Sequence, residues 1–415
     1  MKPLFSKKKK EKILLAMSGG VDSSVAALLL KKQGYEVYGA FMKNWSDTKN
    51  KITGECAWVE ERDYAIKIAT KLGIPFVTLD FEREYKELVV DEMFKKYKAG
   101  ITPNPDIDCN EKIKFPLLIK AAKRAGINLI ATGHYARIKK IKMKNDKQRI
   151  NSDKNSDSLI NSTGRTGRGS GALAGGADSS ENFTYELHRA RDESKDQSYF
   201  LYRQSQDDLA HTIFPIGNLT KKEVREIARK NRFQNADKKG TVGICFIGKI
   251  NLKDFLSKKI KPKTGKILDP DGKVIGKHDG VYFYTIGQRL GPRYGFELDR
   301  KDLNTKKMSR WYVAKKDVKT NIIVAAPEGH PILFRNEIIV KDLHLIDEKK
   351  GEFNKHKKIL SRIRQVGELI PSRAINKNGN LKVILEKAIT GISEGQAIVL
   401  YDKTKCLGGG VITFS

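Results

Sequence analysis

Between residues 12 and 133, short apolar runs alternate with stretches in which apolar side chains recur every three to four positions. The runs 12–17, 36–42, 76–79 and 128–132 are too short for helices and predict strands. Val21, Val25, Leu28 and Leu29 share one helical face, and 62–72 and 84–97 follow the same period. Strand and helix in alternation predict a doubly wound α/β domain, a parallel sheet covered on both faces with its ligands at the carboxyl ends of the strands.

The pattern breaks over 139–182, which has no aromatic side chain and carries glycine at six of the thirteen positions 164–176. Such a segment cannot bury enough apolar area to offset the entropy of ordering it, and predicts a flexible surface insertion. A strand at 183–188 and helices at 199–209 and 221–230 follow, the last with Thr220 as N-cap and Glu223 placed for a capping box. These start a small middle domain. Beyond about 282 the runs 311–314, 322–325, 337–340, 382–386 and 397–401 recur between turn residues and predict an all-β sandwich or barrel. The expected division is 1–212 with its insertion, 213–281, and a β-barrel over 282–415.

A chain of 415 residues has ample length for such cores. Its apolar runs fall far below the roughly 20 residues that cross a bilayer, and the basic N-terminus does not lead into a secretion signal. A cytoplasmic chain without a membrane partner is expected. Four cysteines, none paired as Cys-x-x-Cys, predict free thiols. A net charge of +31, of which the basic run 7–10 is a small part, attracts polyanions, and nucleic acid is the natural one.

The first predicted strand enters Ser18-Gly19-Gly20-Val21-Asp22-Ser23-Ser24 and then a helix. Unpaired amides and the positive end of a helix suit a phosphate chain, and glycines permit close approach. The loop lacks the Gly-Lys-[Ser/Thr] ending of a Walker loop, so pyrophosphate as leaving group fits better than γ-phosphate transfer. Asp22 is a candidate Mg²⁺ ligand and Ser23 a candidate phosphate contact.

Two cysteines stand in unusual settings. Cys109 ends a proline-set loop, 102–110, with Lys112 and Lys114 favouring its thiolate and Asp106 and Asp108 opposing it. Cys245 lies in a glycine-rich segment, 240–248, after Lys238 and Lys239; a reactive thiol and a core strand both fit those residues. Cys56 and Cys406 read as structural.

Taken together, Ala16 to Ser23, Phe41-Met42-Lys43-Asn44-Trp45, Thr102 to Asn110, Ala131-Thr132-Gly133-His134-Tyr135, Lys195-Asp196-Gln197-Ser198-Tyr199-Phe200-Leu201, Gly243 to Gly248, Gly287-Gln288-Arg289 and Cys406-Leu407-Gly408-Gly409-Gly410 resemble, in order, the motifs of the tRNA-specific 2-thiouridylase family. The resemblance covers nearly the whole chain. It implies an N-terminal pyrophosphate-loop ATPase domain, and ATP with Mg²⁺ used to adenylate the C2 oxygen of the wobble uridine in tRNAs of the Lys, Glu and Gln type. Sulfur then replaces that oxygen.

By this resemblance Ala16, Met17, Ser18, Gly19, Gly20, Val21, Asp22, Ser23, Met42 and Gly133 line the ATP site. Cys245 carries a persulfide received from a sulfur-relay protein or cysteine desulfurase. Cys109 is the second thiol and ends disulfide-bonded to Cys245, with Asp106 as general acid and base. Asn104, Pro105 and Asp106 surround the target base, while His134, Lys195, Asp196, Gln197, Arg362, Ile363 and Gln396 touch tRNA. The chain departs from the family at Ile363, where an aromatic is usual, and at Gly240, where Asp is common. Another pyrophosphate-loop enzyme, such as a lysidine ligase or amide synthetase, would share the loop without the thiols. A non-enzymatic RNA binder would explain the charge but neither cysteine.

Overall fold

The computed structural model describes residues 10–46, 56–143, 183–238, 245, 251–291, 297–298, 310–347, 357–365, 367–377 and 380–414. The basic run 7–9, the insertion over 144–182 and the neighbours of Cys245, Gly240 and Gly243 included, lie outside them.

The chain begins β1 (Lys12–Ala16), α1 (Val21–Lys32), β2 (Glu36–Lys43), α2 (Ala57–Leu72), β3 (Phe76–Asp80). Two helical passages follow, each interrupted by a π-helical turn. The first is α3 (Glu82–Tyr85), the turn Lys86–Asp91 and α4 (Glu92–Lys98). The second is α5 (Pro105–Cys109), the turn Asn110–Lys114 and α6 (Phe115–Arg124). Then come β4 (Leu129–Ala131), a hairpin of β5 (Ala136–Lys142) and β6 (Phe183–Arg189), α7 (Gln206–Ala210), β7 (Thr212–Ile213) and α8 (Lys221–Lys230).

β3, β2, β1, β4 and β7 pair in that order, all parallel. Alternation along each strand buries both faces. Leu14, Ala40, Met42 and Ile130 enter one core, whereas Ile13, Leu15, Val37 and Ala131 enter the other. Chain progression reverses between β1 and β4, which opens the ligand crevice at their carboxyl ends. The doubly wound domain is as expected.

Several local expectations change. The helix predicted over 199–209 is instead a 3₁₀ turn, Ser198–Leu201, and then α7, because Ser205 and Asp208 form a capping box that restarts the helix. β5 runs on through Lys142, so the insertion does not begin at Lys139. The capping box of Thr220 and Glu223 on α8 is present, but Ile216, Val224, Ala228 and Phe233 pack into the same core as α1. Residues 213–236 therefore complete the N-terminal domain.

The helix α9 (Leu252–Ser257) leads into β8 (Gly265–Leu268), β9 (Val274–His278), β10 (Glu297–Leu298), β11 (Trp311–Asp317) and β12 (Ile322–Pro327), one sheet in the order β10-β9-β8-β12-β11. This sheet takes strands from both sides of the boundary expected at 281. The last strands are β13 (Phe334–Leu345), β14 (Lys357–Arg362), β15 (Ile370–Lys377), β16 (Asn380–Thr390), β17 (Ala397–Asp402) and β18 (Lys405–Thr413). They pair β13-β16-β15-β14-β17-β18, and β18 returns to β13, closing an antiparallel barrel around Ile338, Val383, Leu385, Ile398 and Leu400. Among the described residues no helix is long and apolar enough to cross a membrane.

Candidate active site

The loop after β1 is held in a form that leaves the start of α1 open. Gly19 has φ +76, and a Cβ there would lie 2.1 Å from the Glu61 carbonyl oxygen, so only glycine fits. Gly20 is the N-cap and supplies no side-chain cap; the hydroxyls of Ser23 and Ser24 each donate to its carbonyl at 3.0 Å. The first amides of α1 are thus left for an anion, and the helix dipole favours one. Asn235, fully buried, braces the loop by donating to Gly19 O at 2.8 Å and Ser24 Oγ at 2.9 Å. Gly133 lies so near the loop that a Cβ there would come within 2.8 Å of the Ser23 amide nitrogen. This cradle fits the phosphates of ATP. Met17, Val21 and Met42 bury their side chains in the cores.

Asp22 has a different surrounding from that expected. Lys221 Nζ lies 2.7 Å from both of its carboxylate oxygens, and Tyr135 donates its hydroxyl at 2.8 Å. Mg²⁺ needs several oxygen ligands. A single carboxylate already engaged by an ammonium and a phenol does not fit a resident ion, and the described residues gather no cluster of three or more metal-ligating side chains. Lys221, missed in the sequence, is instead a cation at the mouth of the phosphate loop.

The second centre is built on α5. Asn104 caps it by accepting from Ile107 N at 3.4 Å, with Pro105 in the first turn. Asp106 and Cys109, three residues apart, share a face. Cys245 is brought to that face: its amide donates to Asp106 Oδ1 at 2.9 Å, its carbonyl accepts from the Tyr85 hydroxyl, and its Sγ lies 3.7 Å from Cys109 Sγ. Lys114 Nζ reaches Asn110 Oδ1 at 3.0 Å, His134 Nε2 at 3.4 Å and Cys245 Sγ at 3.9 Å.

The two thiols differ electrostatically. Burial pushes Cys109 well above the usual thiol range, helped by its hydrogen bond to Cys245. Cys245 is held below that range by the hydrogen bond from Cys109 and by Lys114, against burial. Burial also raises the Asp106 carboxyl, opposed by the Cys245 amide and Lys114. Lys238, expected beside Cys245, pairs with Glu61 at 2.8 Å, and Lys112 pairs with Asp108 at 3.2 Å.

Several residues assigned to tRNA lie in the interior. His134 stacks on Phe115 at 5.8 Å and meets Phe214 edge-on at 5.9 Å, joined to the thiol centre through Lys114. Asp196, Arg362 and Ile363 are 1%, 4% and 3% exposed. Asp196 accepts from Arg362 at 2.7 Å, from Ala190 N at 3.0 Å and from Ser198 N at 3.2 Å, tying the barrel to the N-terminal domain. Gln197 Oε1 accepts from Tyr135 N at 2.9 Å. Gln396 donates to Thr102 O at 3.0 Å and Pro103 O at 3.3 Å, while Lys316 of β11 donates to Gly100 O at 2.7 Å. Both later domains thus grip the loop that carries Asn104 to Asp106. Of the expected tRNA contacts Lys195 alone is exposed.

Arg362→Met strands the Asp196 carboxylate in the interior. The expected loss is about 3 kcal/mol, the low end for a broken buried pair, because Arg189 remains 3.5 Å from the same carboxylate. Thermal unfolding followed by circular dichroism reads this; a melting point within about 2 °C of the parent would contradict it.

The tRNA methyl transferase HUP domain family matches residues 11–161 and 167–249, the tRNA methyl transferase PRC-barrel domain family 253–327, and the aminomethyltransferase beta-barrel domain family 335–412. A protein from Listeria monocytogenes named tRNA-specific 2-thiouridylase MnmA is 37% identical, over 97% of this chain and 94% of the relative. Proteins of the same name from Methylobacillus flagellatus and Flavobacterium johnsoniae are 38% and 36% identical, again over 97% of this chain and over 99% and 100% of theirs. With family patterns matched along its length and such identity sustained over nearly all of it, the chain belongs to the tRNA-specific 2-thiouridylase family.

Proposed function

We propose that this protein is a tRNA-uridine 2-sulfurtransferase, replacing the C2 oxygen of the wobble uridine by sulfur with conversion of ATP to AMP and pyrophosphate. The observation that carries the reading is the thiol pair, Cys109 and Cys245, 3.7 Å apart and opposite in proton affinity, beside the buried carboxyl of Asp106. The loop Ser18 to Ser23, with Gly133 and Lys221, would hold the phosphates. Bound ATP would supply the adenylyl group that lets the C2 oxygen leave as part of AMP.

Cys245, as thiolate, attacks the outer sulfur of a donor persulfide carried by a sulfur-relay protein or cysteine desulfurase. One S–S bond forms, one breaks, and the donor's thiolate leaves. The terminal sulfur on Cys245 then bonds to C2 as AMP departs. Cys109 gives up its proton and attacks Cys245 Sγ. That cleaves the bond to the transferred sulfur, leaving 2-thiouridine and a Cys109–Cys245 disulfide, which an external thiol reduces. Closing the pair from 3.7 Å to a bond of about 2.05 Å needs only a small movement. Asp106 takes up and returns protons at the base, with Asn104 and Pro105 around it. The tRNAs are of the Lys, Glu and Gln type, Lys195 remains a candidate tRNA contact, and the free thiols fit a reducing cytoplasm.

Incubation with ATP, Mg²⁺, tRNA and a sulfide source, followed by mass spectrometry of the wobble nucleoside, tests this. We expect one sulfur gained for one oxygen, dependent on ATP. Consumption of ATP with sulfur absent from that position would overturn the proposal.

A further inference from the structure

Cys109 and Cys245 are the same chemical group in one buried site, so their surroundings must decide which becomes the sulfur-accepting anion. Among the described residues, the titratable and charged groups facing the pair are Asp106 from α5, Lys114 from the π-helical turn, Tyr85 from α3 and His134 from the exit of β4. Asp106 carries the wrong sign. Tyr85 stays a protonated phenol, held so by burial and then by the fields of Cys109, Cys245 and Asp106. His134 is neutral, because burial and the neighbouring ammonium both disfavour its charge. Its Nε2 faces an ammonium, which only donates, so Nε2 accepts from Lys114 and Nδ1–H donates to Thr132 Oγ1 at 2.6 Å. Among the described residues, Lys114 is therefore the cation of this set.

The backbone is shaped to bring that cation in. Cys109 and Lys114 are five residues apart, which on a regular α-helix would turn them about 140° away from each other. Over Asn110–Lys114 the helix widens to a π turn, in which residues five apart fall on nearly the same face. The widened turn thus directs Lys114 back toward the sulfurs instead of toward solvent. Asn110, the first residue of the turn, accepts from Lys114 at 3.0 Å and donates to Phe200 O at 3.3 Å, anchoring the ammonium from below.

Resting on the sulfur-transfer reading above, we infer that Lys114 is the positioning residue that makes Cys245, and not Cys109, the thiolate that accepts the incoming sulfur. Its ammonium is the countercharge first of the Cys245 sulfur and then of the terminal sulfur of the persulfide, and neutral His134 holds it in place. Cys109 keeps its proton until the persulfide has been spent. The cation's own protonation is secured reciprocally: burial works against it, but the two sulfurs and Asp106 outweigh burial.

The experiment is alkylation of the full-length protein by iodoacetamide over a pH series, with peptide mass spectrometry reading Cys109 and Cys245 separately. In the parent protein Cys245 should be modified at lower pH than Cys109; the reverse order overturns the inference without any variant. In Lys114→Met the Cys245 midpoint should rise by about 1–3 units, the range for loss of an adjacent opposite charge. Lys114→Arg, which keeps the charge, should return it close to the parent value. A Lys114→Met protein with parental circular dichroism and an unmoved midpoint overturns the inference. So does Lys114→Arg behaving like Lys114→Met, since the effect would then be structural. Alkylation needs neither tRNA nor ATP, so a parent protein that fails to thiolate tRNA would overturn the sulfurtransferase reading while leaving these profiles to be judged on their own.

Discussion

Cys245→Ser is expected to lower tRNA thiolation by on the order of 10³-fold or more, the scale for deleting a covalent nucleophile, while ATP-dependent adenylation of tRNA persists. Oxygen for sulfur is a near-isosteric change, so the amide of residue 245 still reaches Asp106 and the carbonyl still accepts from Tyr85. What disappears is the atom that carries the persulfide. Cys109→Ser should lower turnover as far but stop at a later point. Cys245 can still be charged and the terminal sulfur can still bond to the base, yet no thiol stands 3.7 Å away to release it. We therefore expect a covalent tRNA adduct with Cys109→Ser, cleaved by added dithiothreitol, and none with Cys245→Ser. Gel electrophoresis of labelled tRNA under non-reducing conditions distinguishes the two. Normal thiolation by either variant would remove the two-thiol mechanism altogether.

Much of the fold could be read in advance where burial is one-sided or complete. Lys12–Ala16 and Glu36–Lys43 are nearly continuous apolar runs because a parallel sheet between two helical layers leaves few positions wet. α8 announced itself through Thr220 and Glu223, a pair that satisfies helix amides locally whatever lies around it. The strands β8 and β9, Gly265–Leu268 and Val274–His278, did not show, since each is short and dilutes its few apolar residues with Gly and Lys. The domain edges were displaced for a related reason. Val224 and Ala228 give no sign in the sequence that their partners lie on α1, because that contact is made only when the chain returns to its own beginning.

The phosphate loop could be found from its glycines and serines, whose conformational roles are local; Asp106 and Cys109 came together through the family resemblance, on a segment that reads as a loop and is in the structure the helix α5. The brace around them was not visible. Asn235, Lys221 and Tyr135 each reach the loop from distant positions, and Lys114 reaches Cys245 only because the helix adopts a π turn that no sequence period records. Residues 133 to 135 join the two centres. Gly133 lies on the Ser23 amide, His134 meets Lys114, and Tyr135 meets Asp22, so successive residues serve the phosphate loop and the thiols in turn. The resemblance has His134, Asp196 and Arg362 touching tRNA; in this structure all three are buried, His134 against Lys114 and Asp196 against Arg362.

Gly133→Ala is expected to raise the KM for ATP by about 5–150-fold, the equivalent of the roughly 1–3 kcal/mol that overpacking costs in a tight site. A Cβ at this position would lie 2.8 Å from Ser23 N and 3.0 Å from Asp22 C and Ser23 Cα, all backbone atoms of the phosphate loop. Gly133 does not lie among the glycines with positive φ, so the strain is one of contact and not of backbone conformation. The loop has little room to retreat. Asn235 pins it at Gly19 O at 2.8 Å, and Asp22 is held by Tyr135 at 2.8 Å and Lys221 at 2.7 Å. Tyr135 sits two residues beyond the substitution, so a shift of residue 133 strains that contact as well. The displaced group is the Ser23 amide at the start of α1, one of the donors left free for phosphate. Cys245 should keep its alkylation profile, because the added methyl bears on the loop and not on Lys114. Initial rates of AMP formation at varied ATP read the effect. An unchanged KM in a folded Gly133→Ala protein would mean that the Ser23 amide does not face the nucleotide, and the phosphate site would have to lie elsewhere along the strand ends.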